Sequence, residues 1–126
     1  MQITANFNSI HDRMACPCCN GFMYDKTFMK RIQILRDVVD TPFVLDRRGG
    51  GFYRCTLYQK SINPSVVKSQ HCLGKAMDIY SLGWAPSLKW YFVQEAMRLG
   101  MSVGVYKTFF HVDYRSGNPV LFYGES

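Results

Sequence analysis

Ser69-Gln70-His71-Cys72-Leu73-Gly74-Lys75-Ala76-Met77-Asp78 is the stretch on which the reading of this chain turns, and His111-Val112-Asp113 answers it further on. Beyond Gly74 the residues alternate. Ala76, Asp78 and Tyr80 fall on one face of a strand, and Lys75, Met77 and Ile79 on the other. His71 lies across the Gly74 turn from that strand. His71, Asp78 and His111 together form a donor set that suits a zinc ion with one position left open for water. On residue types alone two plainer readings stand beside it: a surface His–Asp pair, or a histidine satisfied within the core.

Outward from this stretch, Pro86-Ser87 supplies a break and an N-cap, and Leu88, Phe92, Ala96 and Leu99 space a second amphipathic helix that Gly100 ends. The rest reads as strands: Ser102 to Tyr106, Phe109 to Arg115, and Val120 to Tyr123, with Ser116-Gly117-Asn118-Pro119 as the turn between the last two. Phe109, His111, Asp113 and Arg115 share one face of the middle strand. On the amino-terminal side, Phe28, Ile32, Leu35 and Val39 mark a first amphipathic helix from Asp25, stopped at Thr41-Pro42. Phe43-Val44-Leu45 is a short strand candidate. Asp46-Arg47-Arg48-Gly49-Gly50-Gly51 is a flexible basic loop whose glycines lack nucleotide-loop spacing, so it reads as a solvated loop beside a cleft. Asn63-Pro64-Ser65 carries turn chemistry.

With 126 residues, 48% of them hydrophobic, residues 1–126 form a single domain able to bury a core without disulfides. The formal charge of +6 comes from basic residues spread along the chain, which attracts polyanions in general without choosing one. Neither a leader nor a run of about 18 apolar residues is present, so no membrane insertion is expected. Five cysteines are an odd number, and complete internal pairing is impossible. Cys16-Pro17-Cys18-Cys19-Asn20-Gly21 looks like half of a zinc ribbon, but no second closely spaced pair follows, and the reading is a compact loop with small buried thiols.

The string Ser69-x-His71-x-x-Gly74-x-Ala76-x-Asp78 resembles the signature of the zinc D-Ala-D-Ala peptidase family, which shares its fold with the amino-terminal hedgehog domain. Tyr53-Arg54-Cys55 resembles that family's arginine motif. Gly104-Val105-Tyr106 followed by Phe110-His111-Val112-Asp113-Tyr114-Arg115 is similar to the terminal motif of its short bacterial and phage members, as is the cysteine-rich start. The likeness runs in order over nearly the whole chain. It implies one zinc ion on His71, Asp78 and His111, with Arg54 lining the substrate cleft and Ser69 hydrogen-bonding near the ligand loop. Two departures stand out. Gly51-Phe52-Tyr53-Arg54 lacks the serine common before the arginine, and Thr108 and Phe109 occupy positions where many relatives carry an acidic residue or a second histidine as general base. That leaves Asp113 as the candidate base, its rival role being to accept from a ligand imidazole N–H.

The expected fold is therefore α+β, a small antiparallel sheet carrying a zinc site with helices packed on it. The activity the resemblance implies is zinc-dependent hydrolysis of an amide bond in peptidoglycan stem peptides, as a carboxypeptidase or an L-Ala-D-Glu endopeptidase. A monomer that is made without a signal peptide and acts at the bacterial cell wall, as a phage lysis or virion-associated protein, completes the expectation. Its rival is a catalytically silent zinc domain that binds cell wall or a protein partner. Nucleic-acid binding rests on charge alone and is not expected.

Overall fold

The computed structural model describes residues 1–65 and 69–124. In chain order the elements are β1 (Gln2–Thr4), β2 (Phe7–Asn8), α1 (Lys26–Val39), α2 (Thr56–Ile62), a single 3₁₀ turn (Gln70–Leu73), β3 (Ala76–Tyr80), α3 (Pro86–Arg98), β4 (Ser102–Val105), β5 (Phe109–Asp113) and β6 (Leu121–Tyr123). This is a small α+β protein with two sheets and three α-helices among the described residues.

Helix α1 begins where the Asp25 carboxylate accepts from the Phe28 N–H at 2.8 Å, and it ends where Asp40 turns left-handed (φ 54°). Its stripe of Phe28, Met29, Ile32, Leu35 and Val39 is buried. Each such side chain contributes roughly 1.5–3 kcal/mol relative to exposure. Helix α3 starts on Pro86 with Ala85 as its N-cap and no side-chain capping bond, so Ser87 lies inside the first turn and not at the cap. Phe92, Val93 and Ala96 form its buried face.

The larger sheet has the order β3-β5-β4-β6. Its register sets Met77 opposite Val112 opposite Val103, and Ile79 opposite Phe110 opposite Val105. These rows face the helices, with Phe92 and Phe110 stacked at 4.7 Å between ring centres. The intervening row runs Asp78, His111, Gly104, Phe122 across all four strands. A Cβ on Gly104 would meet the Phe122 ring at 2.5 Å, so glycine is what admits that ring to the row.

Two expectations need correcting, and one segment that the sequence leaves unassigned gains a helix. The sheet is not wholly antiparallel, because β6 pairs parallel with β4. The 116–119 turn does reverse the chain, but β5 already has β3 and β4 on its two edges, and β6 must go to the free edge of β4. Phe43-Val44-Leu45 is not a strand: Phe43 and Leu45 are buried, and the Val44 carbonyl accepts from Tyr80 N–H at 2.9 Å. The segment after Cys55 is helix α2, capped by the Cys55 sulfur accepting from Tyr58 N–H.

Gly74 closes the 3₁₀ turn at φ +66°, and its carbonyl accepts from Asp25 N–H at 3.1 Å. A Cβ there would lie 2.5 Å from the Met23 carbonyl oxygen and 2.6 Å from the Tyr24 Cα. Both are backbone atoms that cannot swing aside. Gly74→Ala should lower the unfolding free energy by about 2 kcal/mol or more, read from denaturant midpoints.

Candidate metal centre

Strand alternation places Asp78 and His111 on the sheet face turned away from α1 and α3, as direct cross-strand partners. His71 comes to them from the 3₁₀ turn. Ser69 caps that turn, its Oγ accepting from His71 N–H at 3.2 Å, so Ser69 secures the histidine's backbone. One donor atom from each of His71, Asp78 and His111 lies within 4.8 Å of the others.

The hydrogen bonds fix which nitrogen is bare. His71 Nδ1 is 2.6 Å from the Phe52 carbonyl oxygen, which can only accept, so the proton of a neutral ring sits on Nδ1. Nε2 of the same ring is buried without a hydrogen-bond partner among the described residues, 3.3 Å from Asp78 Oδ1. That contact would be an ion pair only if the ring were doubly protonated. Burial works against this and holds the His71 pKa below its usual value, despite the pull of Asp78.

His111 is the opposite case. Its Nδ1 meets Asp78 Oδ1 at 2.9 Å and its Nε2 meets Asp113 Oδ2 at 2.7 Å. Both carboxylates accept, so both ring nitrogens donate and the imidazolium form is favoured. Burial lowers the His111 pKa, but the two carboxylates reverse that and raise it to about 9. Burial likewise acts to raise Asp78 and Asp113. The histidines around Asp78, and Arg115 with His111 around Asp113, more than offset it, and both carboxyls are held below their ordinary range.

This chemistry fits a divalent cation. A bare nitrogen and a carboxylate oxygen facing each other at 3.3 Å repel unless positive charge lies between them. His71 Nε2, Asp78 and His111 Nδ1 are the groups that would hold the ion, and the outer nitrogens already have the partners that orient ligand imidazoles: the Phe52 carbonyl and Asp113.

Arg54 sits against the same carboxylate. Its NH2 donates to Asp78 Oδ2 at 2.9 Å, its Nε to the Gly50 carbonyl at 2.7 Å and its NH1 to Gln59 Oε1 at 3.1 Å. Three of its five N–H groups are engaged, and the other two have no partner among the described residues. Arg54 and Asp78 line a cleft of about 320 Å³ together with the glycine loop Gly49–Gly51, Tyr58, Tyr80 and Phe109.

Asp113 is placed differently. It is fully buried, it binds the ring nitrogen of His111 that points away from Asp78, and Arg115 Nε donates to its other oxygen at 2.8 Å. Of its two candidate roles, this geometry suits the one that orients His111 and not the base that would exchange protons with water in the cleft. The remaining carboxylate lining the cleft among the described residues, Asp46, is paired with Arg48 at 2.9 Å.

Neither the family models, nor the curated proteins, nor the solved structures compared with this chain contain a match. Two supports had no counterpart in the sequence reading. The Phe52 carbonyl acts through the backbone and leaves no side-chain signature. Gln59, buried at 4% exposure, shows itself only as the polar residue on the inner side of α2.

Two outcomes are expected. Zinc uptake at neutral pH should displace the Nδ1 proton of His111, releasing about one proton, and the release should fade as pH rises through about 9. Calorimetry in buffers of different ionisation enthalpy reads this directly. Asp113→Asn should weaken zinc affinity by about tenfold while the fold persists, measured by competition with a chromophoric chelator.

Proposed function

We propose that this chain is a zinc peptidase of the D-Ala-D-Ala peptidase kind, with the fold that family shares with the hedgehog domain, and that it hydrolyses an amide bond in the peptide stems of peptidoglycan. The observation that carries the reading is the buried Nε2 of His71, without a partner among the described residues, facing Asp78 and His111 at the edge of an arginine-lined cleft. The motif resemblance supplies the substrate class, and the net charge of +6 suits an anionic wall.

Zinc held by His71, Asp78 and His111 would polarise the scissile carbonyl and activate water. The chain's own residues do the remaining work. Phe52 and Asp113 fix the two imidazoles by their outer nitrogens. Arg54, anchored by Gly50, Gln59 and Asp78, offers its two remaining N–H groups to a peptide carboxylate or to the developing oxyanion. Tyr58, Tyr80 and Phe109 give the cleft aromatic walls on which a peptide can lie.

A second reading is favoured by the burial of Asp113. With that carboxylate sealed and Asp46 bound to Arg48, the cleft offers no unpaired carboxylate among the described residues to act as base, which suits a zinc domain that binds wall fragments without cutting them. Digestion of purified peptidoglycan, analysed by mass spectrometry, separates the two. The zinc-loaded protein should release stem fragments, and a chelator or His71→Ala should abolish release. Arg54→Lys should slow it by on the order of 10²-fold with metal content unchanged. Intact stems with tight, zinc-dependent retention would establish the binding module instead.

A further inference from the structure

Away from the histidines, the fold gathers the cysteines that the sequence leaves scattered. The Sγ atoms of Cys16, Cys19 and Cys55 lie within 4.8 Å of one another, although Cys55 is remote in sequence from the other two. Cys18 Sγ is 3.8 Å from Cys55 Sγ. All four are free thiols. The second half that the Cys16–Gly21 loop lacks in sequence is thus supplied from the N-terminus of α2.

The local backbone is built toward sulfur. Cys16 N–H donates to the Gly21 carbonyl and Asn20 N–H to the Cys16 carbonyl, both at 2.8 Å, with Asn20 left-handed at φ 58°. This closes a tight knuckle that brings Cys16 and Cys19 to one side. Each of the three clustered sulfurs accepts a backbone N–H: Cys55 N to Cys16 at 3.4 Å, Gly21 N to Cys19 at 3.3 Å and Tyr58 N to Cys55 at 3.4 Å. Such donors stabilise thiolates, the form that binds metal.

We propose that Cys16, Cys19 and Cys55 hold a second zinc ion, with Cys18, which touches Cys55 but lies outside the three-sulfur group, swinging in as the fourth thiolate, as a structural site separate from the His71–Asp78–His111 centre. The spacing Cys16-x-x-Cys19 is that of zinc knuckles. Sulfurs about 2.3 Å from a tetrahedral zinc lie about 3.8 Å from one another; Cys18 and Cys55 already stand at 3.8 Å, and Cys16, Cys19 and Cys55, within 4.8 Å of one another, need close only slightly. Four thiolates leave no open position, so this site takes no part in chemistry at the cleft. Its work is mechanical: it fastens the 16–21 loop to Cys55, the residue after Arg54, and so fixes the arginine that faces Asp78.

The test uses the whole chain and His71→Ala, loaded with zinc or cobalt(II) under reducing conditions. Native mass spectrometry should count two ions in the unchanged chain, one in His71→Ala, and one in Cys16→Ser/Cys19→Ser. Cobalt should give a thiolate-to-metal charge-transfer band that His71→Ala keeps and the double serine variant loses. Should that variant fail to fold, zinc protection of the native thiols decides. Alkylation of Cys16, Cys19 and Cys55 should slow by roughly tenfold relative to Cys72. A single ion lost with His71, no thiolate band, equal alkylation with and without zinc, or a Cys18–Cys55 disulfide in the reduced preparation would each overturn the proposal.

Discussion

The hydrogen bond from His71 Nδ1 to the Phe52 carbonyl is the constraint on which the polar half of this molecule rests. It fixes one tautomer of a buried ring and leaves its other nitrogen facing the sheet. The same short segment does more. The Gly51 carbonyl accepts from Asp78 N–H at 2.8 Å, Arg54 N–H donates to the His71 carbonyl at 3.3 Å, and the Arg54 side chain reaches the Asp78 carboxylate. Residues 51–54 thus hold two proposed ligands and the cleft arginine from a single stretch of chain. Phe52 anchors that stretch by its fully buried ring, packed against Phe28 and Phe22. Core packing on one side and ligand orientation on the other meet in one residue.

Across the sheet face, charge alternates along a connected path: Arg54, Asp78, His111, Asp113, Arg115. Buried ion pairs of this kind come close to breaking even against their desolvation, so their contribution is less to stability than to a unique arrangement. Each group has its neighbours' opposite charge, and removing one leaves another unpaired in a half-buried place. Such a path suits a centre that must be set before anything binds there.

The sequence was informative wherever a periodic pattern decided the outcome. Alternation put Asp78 and His111 on one face, and apolar stripes marked α1 and α3. It was silent where the answer depended on closure in three dimensions. Helix α2 has no apolar stripe, and its single buried residue is Gln59, held by Arg54 from outside the helix. The neighbour of β6 depends on which sheet edge is free. For Asp113, the sequence gives the face it shares with His111 but not which ring nitrogen it meets. Cys55 reads as isolated because its companions arrive through folding and not through spacing.

The strand that carries Asp78 lies at one border of its sheet, yet that border is not open. Tyr80 and Asp78 give their outward N–H groups to the Val44 and Gly51 carbonyls of an irregular segment, and the opposite border is β6, three residues long. Among the described residues neither margin presents a long, flat ladder onto which a foreign chain could pair. The loop that walls the cleft therefore also guards this protein against edge-to-edge association, and a change that loosened residues 44–51 would expose an aggregation-prone margin as well as disturb the centre.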